Sequence, residues 1–426
     1  MKRFLLILLA GLLLIAFSAC EKSTEKTDGT DAVSATEENK MTTEGAIETN
    51  AVETESSATT ESEIVSETDS VAETEAVTDD LSATPADKAR IVLANDEVYG
   101  WWSKYKFSKT DSDPFYRHED IYYPNSVTFD WEAKEDADYY RLFISTDEGF
   151  AEDKTESYLL NTNSLTLDHL YVGTKYYWFV VSTDVTESGE EVNTTAVSRR
   201  SFTTEDSPRC LKIEGVSNTR DIGGMKTVDG KRIKQGMVYR GGKLEEITDE
   251  GKSFFLNYVG IKTDLDLRTP GEGGAGGVSP LGEDINYVNI DGRYYVGSKG
   301  ISNDLGKELF AQEIRLFTDP DNYPIYIHCS LGRDRTGTLA MVIEGLLGVN
   351  KNILMMDYEL SVFSVTGTLD NAGVAAIRNN ISSTYDYLNG FEGGSFAERV
   401  ENYLLSIGIT ADEIQAIRDI LLEEGT

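Results

Sequence analysis

Residues 324–337 read Pro-Ile-Tyr-Ile-His-Cys-Ser-Leu-Gly-Arg-Asp-Arg-Thr-Gly, an apolar run of strand length that breaks into a short polar loop with a helical pattern behind it. A strand, a tight loop and a helix in that order point to an α/β unit. Five residues separate Cys329 from Arg335, so successive backbone N–H groups can turn inward and make an anion nest. The helix expected from about Thr336 adds its positive end to the same spot. A thiol held there loses its proton readily, because the nest, the helix terminus and the Arg335 guanidinium all stabilise the thiolate. The same cup fits a phosphoryl group.

A small buried cysteine and an arginine paired with a nearby carboxylate would explain Cys329 and Arg335 taken singly. The flanking His328, Gly332, Asp334, Thr336 and Gly337 favour the anion-binding reading. Together they form His-Cys-x-x-Gly-x-x-Arg-Thr-Gly, which resembles the signature of the cysteine-dependent phosphatases. Asp334 before Arg335 is similar to the bacterial secreted tyrosine and dual-specificity subgroup, which also acts on phosphoinositides. That subgroup carries Lys-Asp-Arg; here Arg333 stands at the Lys position, keeping the charge but changing its geometry.

The resemblance runs on through the stretch from about residue 206. Asn218-Thr-Arg220-Asp221-Ile-Gly-Gly224 looks like the Asn-x-Arg-Asp-Leu-Gly-Gly segment of the subgroup, and Val238-Tyr-Arg240-Gly-Gly-Lys-Leu244 resembles the Tyr-Arg-Ser-x-x-Leu that follows it. Gly260-Ile-Lys-Thr-Asp-Leu-Asp266-Leu-Arg268-Thr-Pro-Gly-Glu272 is similar to its Gly-Ile-x-x-x-x-Asp-Leu-Arg-x-x-x-Glu strand and loop. Residues 399–422 resemble its terminal helix pair, and 366–395 its lid, although a surface insertion would explain that segment as well. These stretches alternate apolar strand-length runs with helical patterns, so a mostly parallel sheet is expected, with ligands beyond the carboxyl ends of its strands.

The expected chemistry follows residue by residue. A phosphate monoester is held by the backbone N–H groups of Ser330, Leu331, Gly332, Arg333, Asp334 and Arg335 and by the Arg335 guanidinium. Cys329 attacks in line and forms a phosphocysteine. Asp334 is the first choice of proton donor to the leaving oxygen, with Asp291 and Asp266 in reserve. Thr336 offers its hydroxyl to the sulfur, and His328 fixes the loop. Asp266 and Arg268 read equally well as a structural ion pair. Arg333 adds charge at the rim, suited to a second phosphate or to solvent.

Ahead of this unit the chain changes character twice. Lys2 and Arg3 precede an apolar run from Phe4 to Phe17, followed by Ser18, Ala19 and Cys20: a secretory signal over 1–20 that resembles a bacterial lipoprotein box, with Phe17 at the position usually held by Leu. Lipidation of Cys20, or else a retained anchor, places the protein on the outer face of a bacterial cell membrane. Residues 21–88 are rich in Thr, Glu, Ser and Ala and almost free of aromatics, so they read as a disordered acidic tether. Its end-to-end distance would be about 45 Å before charge repulsion lengthens it.

From 89 to 205 short runs with period two begin: Ser126–Trp131, Tyr139–Ser145, Ser164–Leu167, Tyr176–Ser182 and Arg200–Thr204. They predict an antiparallel β-sandwich. The Trp131 strand and Leu170-x-x-Gly-Thr-Lys-Tyr176 resemble a fibronectin type III module, with Tyr176 at its tyrosine corner. Its aromatics read as core, and its partner is left open.

The whole chain of 426 residues carries a formal charge of −35, which argues against nucleic acid as a partner. The three cysteines, at 20, 210 and 329, are too scattered for a disulfide framework, so Cys210 reads as a buried strand residue. The three histidines form no metal-ligand cluster, and no metal or other cofactor is expected. The function expected is an exported, anchored phosphatase acting on a phosphorylated protein or lipid. The alternatives are an inositol polyphosphate phosphatase, or a surface binding protein with a dead catalytic scaffold.

Overall fold

A computed structural model describes residues 82–108, 123–134, 137–185, 191–292, 298–365 and 371–425. The signal segment, Cys20 and nearly all of the tether lie outside the described residues.

The first part is built from two sheets. Strands β1 (Ala83–Thr84), β3 (Val127–Trp131) and β6 (Ser164–Leu167) form one, in the order β1-β3-β6. Strands β2 (Ala89–Ile91), β4 (Tyr139–Ser145), β5 (Thr155–Leu160), β7 (Lys175–Val185) and β8 (Glu191–Thr204) form the other, in the order β2-β8-β7-β4-β5. Every pairing is antiparallel except that of β2 with β8. Alternation decides which side faces inward: Val127, Phe129 and Trp131 are buried while Thr128 and Asp130 are exposed. The inward residues of both sheets, among them Phe129, Trp131, Leu142, Trp178 and Phe202, share one core. Among the described residues, sheet structure therefore begins at Ala83, inside the stretch read as tether. Two residues of backbone pairing to Asp130 and Trp131 hold that strand, so its polar composition gives no sign of it.

The second part is an α/β unit whose sheet runs β14-β13-β15-β12-β10-β9. The four strands β12 (Val238–Gly241), β13 (Thr263–Asp266), β14 (Asn286–Asn289) and β15 (Ile325–His328) are parallel. β9 (Arg209–Cys210) and β10 (Arg220–Asp221) add an antiparallel edge, and Cys210 is buried there. Every residue of β12, β13 and β15 is buried, as expected of strands covered on both faces. The register aligns Gly241, Asp266 and His328, so three strands end at one level.

Helices α1 (Asp96–Trp102), α2 (Asp304–Arg315), α3 (Asp334–Leu346), α4 (Lys351–Leu360), α5 (Asn371–Leu388), α6 (Phe396–Ser406) and α7 (Ala411–Leu421) complete the layers. α3 leaves β15 through the loop at Cys329 and is buried from Arg335 to Leu346, a central core helix. The segment read as a lid holds α5, whose Ile377, Ile381 and Leu388 are buried in the core, with Arg378 paired to Glu359 of α4 at 3.1 Å. From Ile377 to Leu388 it is a wall of the domain; residues 366–370 lie outside the described ones.

The two parts are joined by polar contacts. The Gln235 amide accepts from Val172 N (2.9 Å) and donates to Val172 O (3.0 Å), as a strand neighbour would. Arg209 donates to His169 O (2.8 Å) and Leu170 O (3.3 Å), and its guanidinium lies 4.3 Å from the centre of the Tyr171 ring.

Candidate active site

The cup is shaped from behind. Each carbonyl of Ser330, Leu331, Gly332 and Arg333 is taken by a donor on another element. Lys243 N donates to Ser330 O (3.4 Å) and Asn218 Nδ2 to Leu331 O (2.9 Å); Arg240 Nη2 donates to Gly332 O (2.8 Å) and Arg333 O (3.3 Å). With the carbonyls drawn outward, the amides of the same peptides face the opposite way, which is the nest the spacing predicts. Gly332 makes the turn at φ +66°, and a Cβ there would stand 2.1 Å from Gly241 O.

Cys329 sits at the end of β15, 3% exposed. Burial pushes its thiol up, but the Thr336 hydroxyl, the Arg335 charge and the amides of Thr336 and Leu331 outweigh that, leaving it below the ordinary thiol value. His328 lies between two buried carboxylates, with Nε2 2.9 Å from Asp264 Oδ1 and Nδ1 3.9 Å from Asp266 Oδ1. Burial pulls its pKa down and the aspartates, Asp264 first, more than restore it, so the imidazole is held above its usual value.

Arg335 is fixed by a residue to which the sequence reading gave no role. Its Nη1 and Nη2 donate to Glu272 Oε2 and Oε1 at 2.8 and 2.7 Å, and Ser330 Oγ donates to the same Oε1 at 2.6 Å. The Arg335 guanidinium and, against desolvation, the Ser330 hydroxyl hold Glu272 down to about 2. Glu272 therefore sets the angle of the arginine. It stands in the Asp-Leu-Arg-x-x-x-Glu stretch, so a signal existed, but in a glycine-rich loop it carries no mark of its partner. Gly292 closes the other side: a Cβ there would lie 3.2 Å from Arg335 Cδ and 2.9 Å from Leu267 O.

The remaining expected residues divide into two groups. Asp334 opens α3, and its carboxylate accepts from the Tyr358 hydroxyl and from Arg333, at 3.3 Å from Nε and 3.1 Å from Nη2. Arg333 is thereby committed to Asp334, with its side chain 17% exposed, so the rim charge expected of it is neutralised by its neighbour. Asp266 is fully buried and paired with Arg268 (2.8 Å), which also reaches Glu245 (2.6 Å). Asp266 and Arg268 thus brace the loop that carries Glu272. Asp291 accepts from Thr269 Oγ1 at 2.9 Å and precedes Gly292, whose Cα lies against the Arg335 side chain. Among the described residues, no three His, Cys, Asp or Glu side chains converge as metal ligands.

Buried charges behind the loop support the cup. Asp357 on α4 pairs with Arg220 (2.7 Å) and with Arg240, the arginine that grips the loop. Arg220 also donates to Asn218 Oδ1 (2.6 Å), so both gripping side chains belong to one network. Glu344 of α3 is 1% exposed with no hydrogen-bond partner on either oxygen among the described residues. Burial, and then the nearby Asp357 charge, push it well above the carboxylate range.

The sequence pattern of the tyrosine phosphatase family matches residues 211–423, half of the chain and the whole of the α/β sheet beyond β9. The chain belongs to the tyrosine phosphatase family. Within the family's curated proteins, one from Cupriavidus necator, named as tyrosine-protein phosphatase H16_A0669, is 25% identical over 179 residues, covering 35% of this chain and 61% of that protein. A second, from Dictyostelium discoideum, named as tyrosine-protein phosphatase DG1060, is 34% identical over 56 residues, covering 13% of this chain and 34% of that one. The chain thus spans less than two thirds of either relative. Among solved structures, the catalytic core of the PP-IP phosphatase SIW14 from S. cerevisiae, in complex with citrate, is 21% identical over 36% of this chain and 85% of that one (TM-score 0.25). An Fn3-like protein from Clostridium thermocellum is 23% identical over 19% of this chain and 77% of that one (TM-score 0.15).

Proposed function

We propose that this protein is an exported, lipid-anchored phosphomonoesterase that works through a phosphocysteine on Cys329. One observation carries the reading: a thiol held below its ordinary value lies in a loop whose carbonyls are gripped from behind and whose arginine is fixed by Glu272. The Cys329 thiolate attacks phosphorus, the S–P bond forms as the P–O bond breaks, and the leaving oxygen takes a proton. Water then displaces the sulfur, whose departure the Thr336 hydroxyl eases. Backbone amides of 330–335 and Arg335 hold the phosphoryl oxygens throughout.

Phosphotyrosine is the substrate class proposed first, with phosphoserine, phosphothreonine and phosphoinositides as lesser ones and inositol polyphosphates as the alternative. The commitment of Arg333 to Asp334 supports that order, because a second phosphate would have to compete for that cation. The two-sheet part is proposed to be a fibronectin type III-like module. Tyr171 N donates to the Tyr176 hydroxyl at 2.7 Å, the bond a tyrosine corner makes. Cys20 is proposed as the lipid attachment point on the outer face of the cell membrane.

The proton donor has two candidates. Asp334 is the one the loop sequence favours. The engagement of its carboxylate by Tyr358 and Arg333, and the place of Asp291 next to Gly292 on the Arg335 side chain, favour Asp291 as the second reading. Cys329→Ser should abolish turnover of an aryl phosphate while the protein stays folded; retained turnover would end the nucleophile assignment. Asn replacements of Asp334 and Asp291 separate the acids. The true donor's variant loses about 100-fold or more on a substrate with a poor leaving group and much less on a good one. An equal loss on both substrates removes that residue from the role.

A further inference from the structure

Against the Arg220–Asp357 pair that supports the cup lies a cavity of about 280 Å³. Its apolar wall is made by Trp102 of α1, Pro208, Met225, and Ile353, Met356 and Leu360 of α4. The polar groups that reach it are already satisfied. Arg220 is held by Asp357, Asn218 and Ser361, and Asp221 accepts from Arg209, Gly223 N and Gly236 N. The exposed Asp206–Lys226 pair marks its edge. The lining is therefore mostly apolar, with the mutually paired charges of Arg209, Arg220, Asp221 and Asp357 on it and an open polar edge, the character of a small-molecule site. An apolar cavity of about 150 Å³ takes up benzene, so this one has room for a bicyclic molecule.

What gives the cavity a consequence is α4. On one turn of that helix Met356 faces the cavity, Asp357 pairs with Arg220 and Arg240, and Tyr358 donates to Asp334. Arg240 grips the carbonyls of Gly332 and Arg333, and Asp334 begins the helix behind Cys329. Met356, which lines the cavity, is thus one residue from the first support of the phosphate loop and two from the second. The roof is tied to the same helix. Asn352 accepts from Phe107 N (2.8 Å) and donates to Tyr105 O (2.9 Å), while Trp101 packs edge-on against Phe363, just beyond the end of α4, at 5.2 Å.

We propose that this cavity binds a small uncharged aromatic or apolar molecule, and that its occupancy alters the reactivity of Cys329 through α4. The binding claim stands on the cavity alone; its effect on turnover rests on the phosphatase reading. The ligand makes no covalent bond, so only the position of α4 relative to the loop changes.

The test uses the full chain with indole as probe. Binding is followed by calorimetry, and reactivity by the rate at which iodoacetamide alkylates Cys329, a readout that needs no turnover. Saturable binding that inorganic phosphate does not displace is expected, with the alkylation rate changed about fivefold or more. Ile353→Phe, which fills the cavity, should abolish both effects; if that variant does not fold, Met225→Phe fills it from the opposite wall. No saturable binding, displacement by phosphate, or binding that leaves the alkylation rate unchanged would each overturn the proposal. Loss of the phosphatase reading would instead appear as wild-type protein whose Cys329 alkylates but never turns over an aryl phosphate.

Discussion

At the scale of single residues, Glu272 is the side chain on which the site turns. An arginine that must meet two phosphoryl oxygens gains from being held at a fixed angle, because less orientation is left to lose when the ligand arrives. Glu272→Gln keeps the shape but removes the charge, and Arg335 should then sample several orientations. The expected outcome is a fall in kcat/KM of about 100-fold on an aryl phosphate, with Cys329 still open to alkylation. The same pair sets a pH dependence. Glu272 lies at about 2 in the folded protein, below its ordinary value, so the unfolded chain binds more protons between those limits. Its stabilising contribution is complete above the ordinary glutamate range and is lost as pH falls towards 2. Urea midpoints of wild type and Glu272→Gln should therefore converge across that acid window. A gap that stays constant to the lowest pH would mean the pair does not stabilise the fold through its charge.

At the scale of elements, the strand–loop–helix is what the sequence states most openly, and its supports are what it hides. Pro324 to Gly337 announces the turn from β15 into α3 because every residue type there has a local job. The grip of Asn218 and Arg240 on Leu331 O and Gly332 O joins residues 113 and 92 positions apart, and no local pattern shows which side chain meets which carbonyl. The motifs containing both residues were legible; their task was not. In the two-sheet part, β5 escaped for a related reason. Thr-Glu-Ser-Tyr-Leu-Leu lies at the edge of its sheet, where half-exposed positions blur the alternation that reveals β3 and β4. The helix start moved from Thr336 to Asp334 because Asp334 takes the first turn while Tyr358 holds its carboxylate. Within the loop itself, Gly332→Ala tests how far the element tolerates change. Its φ of +66° and the 2.1 Å approach to Gly241 O leave a methyl group no room. A loss of about 2 kcal/mol is expected in urea denaturation, with a much larger loss of turnover, since the strain falls on the amides that would hold phosphate.

At the scale of the whole molecule, the two parts read as separate domains in sequence, yet they share a polar joint whose buried Asp221 is the chain neighbour of Arg220 in the active-site network. Arg209 ties His169 O, Leu170 O and the Tyr171 ring to Asp221, the neighbour of Arg220, and Arg220 holds Asp357 and Asn218. Both Arg209 and Asp221 are buried, so the pair is costly to halve. Arg209→Met leaves the Asp221 carboxylate without its cation and should cost about 3 kcal/mol. Adding Asp221→Asn should recover much of that, because removing both charges spares the desolvation of one left alone. The recovery decides between two accounts of the joint. If the double variant regains stability and the two parts still unfold in one transition, the charge pair is replaceable and the Gln235–Val172 pairing holds the parts together. If stability returns but calorimetry resolves two transitions, Arg209 is what couples the sheets to the catalytic unit. Aryl phosphate turnover by that variant would then measure how much of the active-site geometry depends on the joint.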